Sequence, residues 1–304
     1  MFNYSKLKSK IIRAFGAFIG ASFLACAFFV SNASAVQFTV SPMNQMKVIT
    51  PGETERGSLV VANPATNTEV ADVVLEIRPF SYNDDNDPIF EAKEDYSQIV
   101  NWITLGKTEY SLKPNESIEV PFTIDVPQNA PAGGQYASII VRGKEGSGGM
   151  FNEFFEIAHL IYAEVAGETI RQGDIIDINI PSFLLSGNIT GSATIKNTGN
   201  VHSNATHTLK IFPLFSNEEI YTNEENPQTN LIMPGSIRAT NVTWDETPSI
   251  GIFHVLYDVE FEGVKKEVDK YVIVCPIWLL FLIILGIILI IFRILSVKKK
   301  ADKE

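Results

Sequence analysis

Ser117-Ile118-Glu119-Val120-Pro121-Phe122-Thr123-Ile124-Asp125-Val126 alternates polar and apolar residues without a break. A period of two puts Ile118, Val120, Phe122, Ile124 and Val126 on one face, the pattern of a strand with one buried side. Similar short apolar or alternating runs recur at 37–41, 58–62, 73–77, 136–141 and 154–165. Turn chemistry separates them: Pro51-Gly52, Asn63-Pro64, Lys113-Pro114-Asn115, Pro131-Ala132-Gly133-Gly134 and Gly146-Ser147-Gly148-Gly149. Between 36 and 271 no long stretch keeps a helical period. Short, closely spaced strands of this kind predict an all-β chain of the sandwich class.

The pattern is used twice. Leu59-Val60-Val61-Ala62-Asn63-Pro64-Ala65 has a counterpart in Ala193-Thr194-Ile195-Lys196-Asn197-Thr198-Gly199. Leu112-Lys113-Pro114-Asn115 is echoed by Ile232-Met233-Pro234-Gly235, and the run 132–141 by 249–258. Two tandem immunoglobulin-like β-sandwiches follow, expected at 36–167 and 168–271. In the Gly133-Gly134-Gln135-Tyr136 corner, Tyr136 is expected to put its ring in the core and its hydroxyl on a nearby loop. Trp102 reads as core, and 154–165 as the candidate sheet edge.

The two ends of the chain differ from this. Residues 1–35 carry Lys6, Lys8, Lys10 and Arg13 without an acid, then an apolar stretch, then Ala33-Ser34-Ala35, and read as a signal peptide. Residues 272–292 hold no charge and read as one transmembrane helix, with 293–304 as a basic cytoplasmic tail. A helix of that length spans about 32 Å, close to a hydrocarbon core of about 30 Å. The expected placement is a single-pass protein of the cell membrane with its N-terminal domains outside. This reading excludes a cytoplasmic enzyme and a freely secreted protein.

Net charge is −11 over the whole chain, and both ends are cationic, so the exported part is strongly acidic. Phosphate backbones need lysine and arginine to neutralise them, so nucleic acid is excluded as a partner. Anionic lipid is disfavoured for the same reason. The chain has two cysteines, Cys26 in the signal and Cys275 at the start of the apolar run, which leaves the exported part without a disulfide. Animal extracellular domains of this size commonly use disulfides, so the composition points to a bacterial surface protein.

A family resemblance covers most of the first repeat. It rests on Phe38-Thr39-Val40-Ser41-Pro42, Thr50-Pro51-Gly52-Glu53, the strand ending at Asn63, the run 80–90, Asn101-Trp102-Ile103, Leu112–Ser117 and 126–141. These stretches resemble the bacterial WxL-interacting surface proteins and related, uncharacterised membrane-anchored bacterial immunoglobulin-like proteins. Ala132 and Gln135 stand where the related proteins have a Pro-Gly-Gly-His-Tyr-like corner. The resemblance implies a first domain that binds peptidoglycan and a second that contacts host or partner surface proteins.

Catalytic chemistry finds no motif. The four histidines, at 159, 202, 207 and 254, form no His-Glu-x-x-His, and no nucleophile elbow or phosphate loop is present. No enzyme activity and no cofactor are expected. His202 and His207 read as exposed loop residues, His159 as a core or sheet-face residue. One acidic cluster, Asn83-Asp84-Asp85-Asn86-Asp87-Pro88 with Glu91 and Glu94, offers Asn83, Asp85, Asp87 and Glu91 as ligand-binding candidates. Its spacing also suggests calcium at Asp85, Asp87 and Glu94, although Pro88 stands where a calcium loop needs glycine. The leading reading is a membrane-anchored surface protein whose first domain contacts peptidoglycan or another envelope component. The alternative is a structural or assembly subunit that docks a partner surface protein by sheet-edge pairing.

Overall fold

The computed structural model describes residues 38–83, 87–91, 96–143 and 155–301, the last seven by backbone alone. The expected signal segment, Asp85 and Glu94 lie outside the described residues.

Among the described residues the chain is all-β apart from short turns and one C-terminal helix, and its strands form two tandem immunoglobulin-like sandwiches. The first sandwich opens with β1 (Thr39–Ser41) and β2 (Asn44–Ile49), split at the cis Ser41–Pro42 peptide. There follow β3 (Thr54–Ala62), β4 (Ala71–Pro79), a small hairpin of β5 (Ser81–Tyr82) and β6 (Pro88–Ile89), β7 (Ile103–Leu105), β8 (Glu109–Leu112), β9 (Ser117–Asp125), β10 (Gly133–Gly143) and β11 (Glu156–Val165). One sheet has the order β1-β3-β9-β7 and the other β2-β11-β10-β4-β8. Splitting the first strand lets β1 pair antiparallel with β3 while β2 pairs parallel with β11 in the opposite sheet. The alternation along β9 works as the sequence predicts: Val120, Phe122 and Ile124 are buried and meet Ile139, Val141 and Ile161 from the facing sheet. Trp102 closes the same core after a short 3-10 turn, Gln98–Asn101.

The second sandwich repeats the scheme with β12 (Gly173–Asn179), β13 (Phe183–Leu184), β14 (Ile189–Asn197), β15 (Ser203–Pro213), β16 (Tyr221–Thr222), β17 (Gln228–Ile232), β18 (Ile237–Trp244), β19 (Gly251–Phe261) and β20 (Val264–Val274). Its sheets are β12-β14-β18 and β13-β20-β19-β15-β16, with β17 also on β15. Here β13 joins β20 in parallel, as β2 joins β11. A separate core forms around Ile195, Leu209, Ile211, Val255, Tyr257 and Phe261.

The internal repeat extends to single hydrogen bonds. Asn63, at the end of β3, is buried, and its amide donates to the Glu69 and Leu112 carbonyls at 2.9 Å each. Asn197, at the end of β14, donates to Val201 and Ile232 at the same distances. The turn after Leu112 passes through Asn115 at φ +63°, and the turn after Ile232 through Gly235 at φ +64°. Asparagine and glycine are the residues that tolerate this left-handed conformation best.

α1 (Ile277–Ala301) follows β20 after Cys275-Pro276. The sequence reading starts the apolar span at residue 272. In the structure Val272 pairs with Phe253 and Val274 with Gly251, so the strand ends first and the helix starts past Pro276.

Candidate functional site

The two sandwiches meet at an aromatic joint on the outer face of the β4-β10-β11 sheet. Alternation points Ala137, Ile139 and Val141 into the first core, so Tyr136 turns outward, beside Tyr162 of β11 and Phe80 at the end of β4. Phe80, Tyr136 and Tyr162 pack edge-on, with ring centres 5.2–6.0 Å apart, and Met233 of the second sandwich closes the cluster. The Tyr136 hydroxyl lies 3.1 Å from His202 Nδ1 and accepts the His202 backbone N–H at 3.1 Å. Its ring is therefore buried in the joint and not in the first core, where the sequence reading places it, and its hydroxyl bonds to the turn before β15 in the other sandwich. Burial raises its pKa far above the ordinary tyrosine value.

Asn200 is the second tie. Its carbonyl accepts the Gly134 N–H at 2.7 Å and its amide reaches the carbonyls of Ala132 and Glu168 at 3.2 Å each. Arg171, in the connecting segment, pairs with Glu164 at 2.6 Å and donates to the His202 carbonyl at 3.3 Å. A Cβ on Gly134 would overlap the Tyr136 ring and hydroxyl. Gly134→Ala is therefore expected to push Tyr136 off His202 and loosen the joint. Tryptic cleavage after Arg171 in the intact protein should become severalfold faster, and an unchanged rate would remove Tyr136 from the joint's support.

The acidic hairpin rises from this joint. Tyr82 in β5 hydrogen-bonds Tyr162 at 2.8 Å between hydroxyls, and the Arg238 guanidinium lies 5.1 Å over its ring. Asn83 accepts the Asp87 N–H at 2.8 Å through its side-chain oxygen and closes the turn. Asp87 and Glu91 are exposed. Asn83 thus carries a structural role, while Asp85 and Glu94 fall outside the described residues. Among the described residues no group of three His, Cys, Asp or Glu side chains is placed to hold a metal.

The histidines differ from the sequence reading. His207 is buried at an inward position of β15, stacked on Tyr257 with Nδ1 2.8 Å from its hydroxyl. His202 is half-buried in the joint. Neither is exposed: His207 lies within β15, which begins at Ser203, earlier than the polar run 202–207 suggests, and His202, in the turn just before it, is covered by the joint. His159 is fully buried and donates from Nδ1 to the Pro42 carbonyl at 2.7 Å, fastening the β1–β2 split to β11. Burial lowers the pKa of all three, that of His207 to about 4.

A sheet edge can act as a template for another chain. The expected edge, 154–165, is only partly one. β11 pairs with β10 along its whole length and with β2 from Leu160 to Val165. The sheet ends instead at β2, where Met46 is 56% and Val48 69% exposed. Beside β2 runs a shallow groove lined by Gln45, Met46, Lys47, Arg56, Gly57 and Ser58, with Glu119 and Pro121. Gln45 and Lys47 donate across it to the Ser58 and Arg56 carbonyls at 2.7 Å each, which satisfies the β3 edge and leaves the β2 backbone facing out. The other long edges are guarded. From Val264 to Val272, β20 has a neighbour on one side only, but carries Lys265, Lys266, Glu267, Asp269 and Lys270. β12 is interrupted by an irregularity near Ile176, and Gln228 caps the Asn241 carbonyl of β18 at 2.6 Å.

No family model matches the sequence, and no curated protein does. Among solved structures the chain is similar to the class 5 fimbriae chaperone CfaA, with 12% identity, 78% of this chain and 99% of that one covered, and a TM-score of 0.37. It is similar to the E. coli chaperone DraB at 12% identity, with 77% and 98% covered and a TM-score of 0.35. A PapD-like domain of human CEP192 is similar over 46% of this chain and 92% of its own length, at 11% identity and a TM-score of 0.32.

Proposed function

We propose that this chain is a non-enzymatic, membrane-anchored protein of the bacterial cell surface that holds a partner surface protein by adding one of the partner's strands to β2. The observation that carries this reading is the outer edge of β2. It ends its sheet, bears the exposed apolar pair Met46 and Val48, and its one lysine is already committed to β3. Natural edges without such a purpose are shortened, bulged or charged, as β20 and β12 are here. Main-chain hydrogen bonds would supply the affinity and the alternate side chains the selectivity. The Ile277–Ile294 stretch of α1 is long and apolar enough to cross a membrane, which supports anchoring with the sandwiches outside and the basic tail within.

The test places a photo-crosslinking side chain at Val48 in the full-length protein in its own membrane, with Lys265 as the control site. A discrete adduct from position 48 is expected, and its yield should fall tenfold or more in a Met46→Lys background, since charge on an edge blocks pairing. Equal adducts from both positions, or indifference to Met46→Lys, would overturn edge docking. The resemblance to the WxL-interacting proteins adds a second arm: sedimentation of the full-length protein with purified peptidoglycan. Retention that persists with Met46→Lys and disappears with Asp87→Asn and Glu91→Gln would move the binding surface to the hairpin above the joint.

A further inference from the structure

The end of the second sandwich nearest α1 is apolar where a soluble surface would be polar. Strand register brings Phe183, Ile273 and Ile252 side by side across β13, β20 and β19, and they are 45%, 41% and 38% exposed. The next row along the same face is aromatic: Phe212, His254 and Tyr271 lie in register, with ring centres 5.8 and 5.0 Å apart. Above it the face becomes charged. Asp269 pairs with His254 at 2.6 Å, and Lys265 with Asp258 at 3.5 Å. Two loops at the same end add single apolar tips. Ile250 leads into Gly251, which pairs with Val274, and Phe215 follows Leu214, whose N–H donates to the Ile252 carbonyl.

Phe215 is 98% exposed and holds a left-handed conformation at φ +68°. That conformation is disfavoured for a bulky residue. An aromatic ring held fully in water by a strained backbone calls for a partner that the isolated chain does not contain.

We infer that this end of the second sandwich rests in the interfacial zone of the bilayer that α1 enters, with Phe215 as the inserted tip and the Phe212-His254-Tyr271 row at the level of the lipid headgroups. The inference rests on α1 being the membrane anchor. The fit is one of position and polarity. The patch is continuous with the helix, since the Cys275 N–H is bonded to the Leu184 carbonyl at 2.9 Å and Pro276 leads into the helix directly after it. The order apolar, aromatic, charged along the sheet face matches the order acyl chain, interface, water. A protein partner would need no such gradient aligned with the helix. Glu218, Glu219, Asp245 and Glu246 rim the two loop tips, so the lipid surface that suits them is zwitterionic and not anionic.

Tryptophan quenching by brominated phosphatidylcholine in nanodiscs holding the full-length protein tests this. Trp278, just inside α1, reports on the anchor itself in the unmodified protein. Phe215→Trp adds a reporter at an exposed site that packs against nothing, and Val48→Trp adds one in the first sandwich. The added emission at 215 is expected to fall by more than half with brominated lipid, that at 48 to stay unchanged, and the effect at 215 to weaken when phosphatidylglycerol is mixed in. Quenching of Trp278 without quenching at 215 would overturn the inference and leave the anchor standing. No quenching at Trp278 would remove the anchor and the inference together.

Discussion

Replacing Asn197 with alanine is expected to cost the second sandwich about 3 kcal/mol, since buried carbonyls left without a donor cost roughly 1–3 kcal/mol each. The amide donates to Val201 and Ile232 at 2.9 Å, and its oxygen accepts the Gly199 N–H at 2.8 Å. Alanine removes all three bonds and leaves two carbonyls inside the fold with no water to turn to. Because Asn63 holds the same position in the first sandwich, Asn63→Ala should do comparable damage there. The two cores are separate, and each has its own reporter, Trp102 in the first and Trp244 in the second, both nearly buried. Urea titrations followed by tryptophan emission should therefore show Asn197→Ala advancing the Trp244 component and Asn63→Ala the Trp102 component. A shift of less than about 1 kcal/mol in either would mean that the amide braces nothing beyond an ordinary exposed bond.

The second large effect is a loss of stability as pH falls. Burial holds His207 neutral in the folded chain down to about pH 4, whereas the unfolded chain takes up its proton near 6.5. Between those values the unfolded state binds more protons, so stability drops as pH is lowered through the window and is unaffected above it. His207 alone contributes about 3 kcal/mol to this loss, and His159 and His202 add to it in the same direction. Glu76, whose pKa is lowered by its bond to Arg78, acts only below the ordinary carboxylate range and so in a later part of the titration. Thermal midpoints measured at pH 7.5, 5.5 and 4.5 should fall steadily, and His207→Gln should flatten most of the slope while lowering the midpoint at neutral pH. A flat profile in the unmodified protein would contradict the burial of these rings.

The alternation at 117–126 and its turn residues make the class of fold plain because period-two burial is a local property, written residue by residue along each strand. The repeat is equally legible: Asn63 and Asn197 fall at matching places when the two halves of the chain are laid side by side, although their bracing role does not show there. What a single strand cannot express is its neighbour. The run 154–165 looks like an edge because its own residues alternate, and only the split at Pro42 decides that β2 crosses over to cover half of it. The same holds for Tyr136 and His202, which are 66 residues apart and belong to different sandwiches. A polar stretch such as 202–207 suggests a loop until Ala205, Leu209 and Ile211 are seen to share one face with His207. The acidic run 83–95 stands out by composition, but the sequence contains nothing to say that its hairpin stands over the joint between the two sandwiches.

In both sandwiches the first strand system crosses to lie parallel to the last one, β2 with β11 and β13 with β20, and the last strand of the second runs straight into α1. In the function proposed above, a tug on a partner held at β2 would load these parallel-paired strands along their length, between β2 and α1. Hydrogen bonds arranged in that way give way together in shear and not one after another like a zip. Under that proposal the chain would act as a tether, with its longest pairing, the eleven residue pairs of β19 with β20, next to the anchor helix.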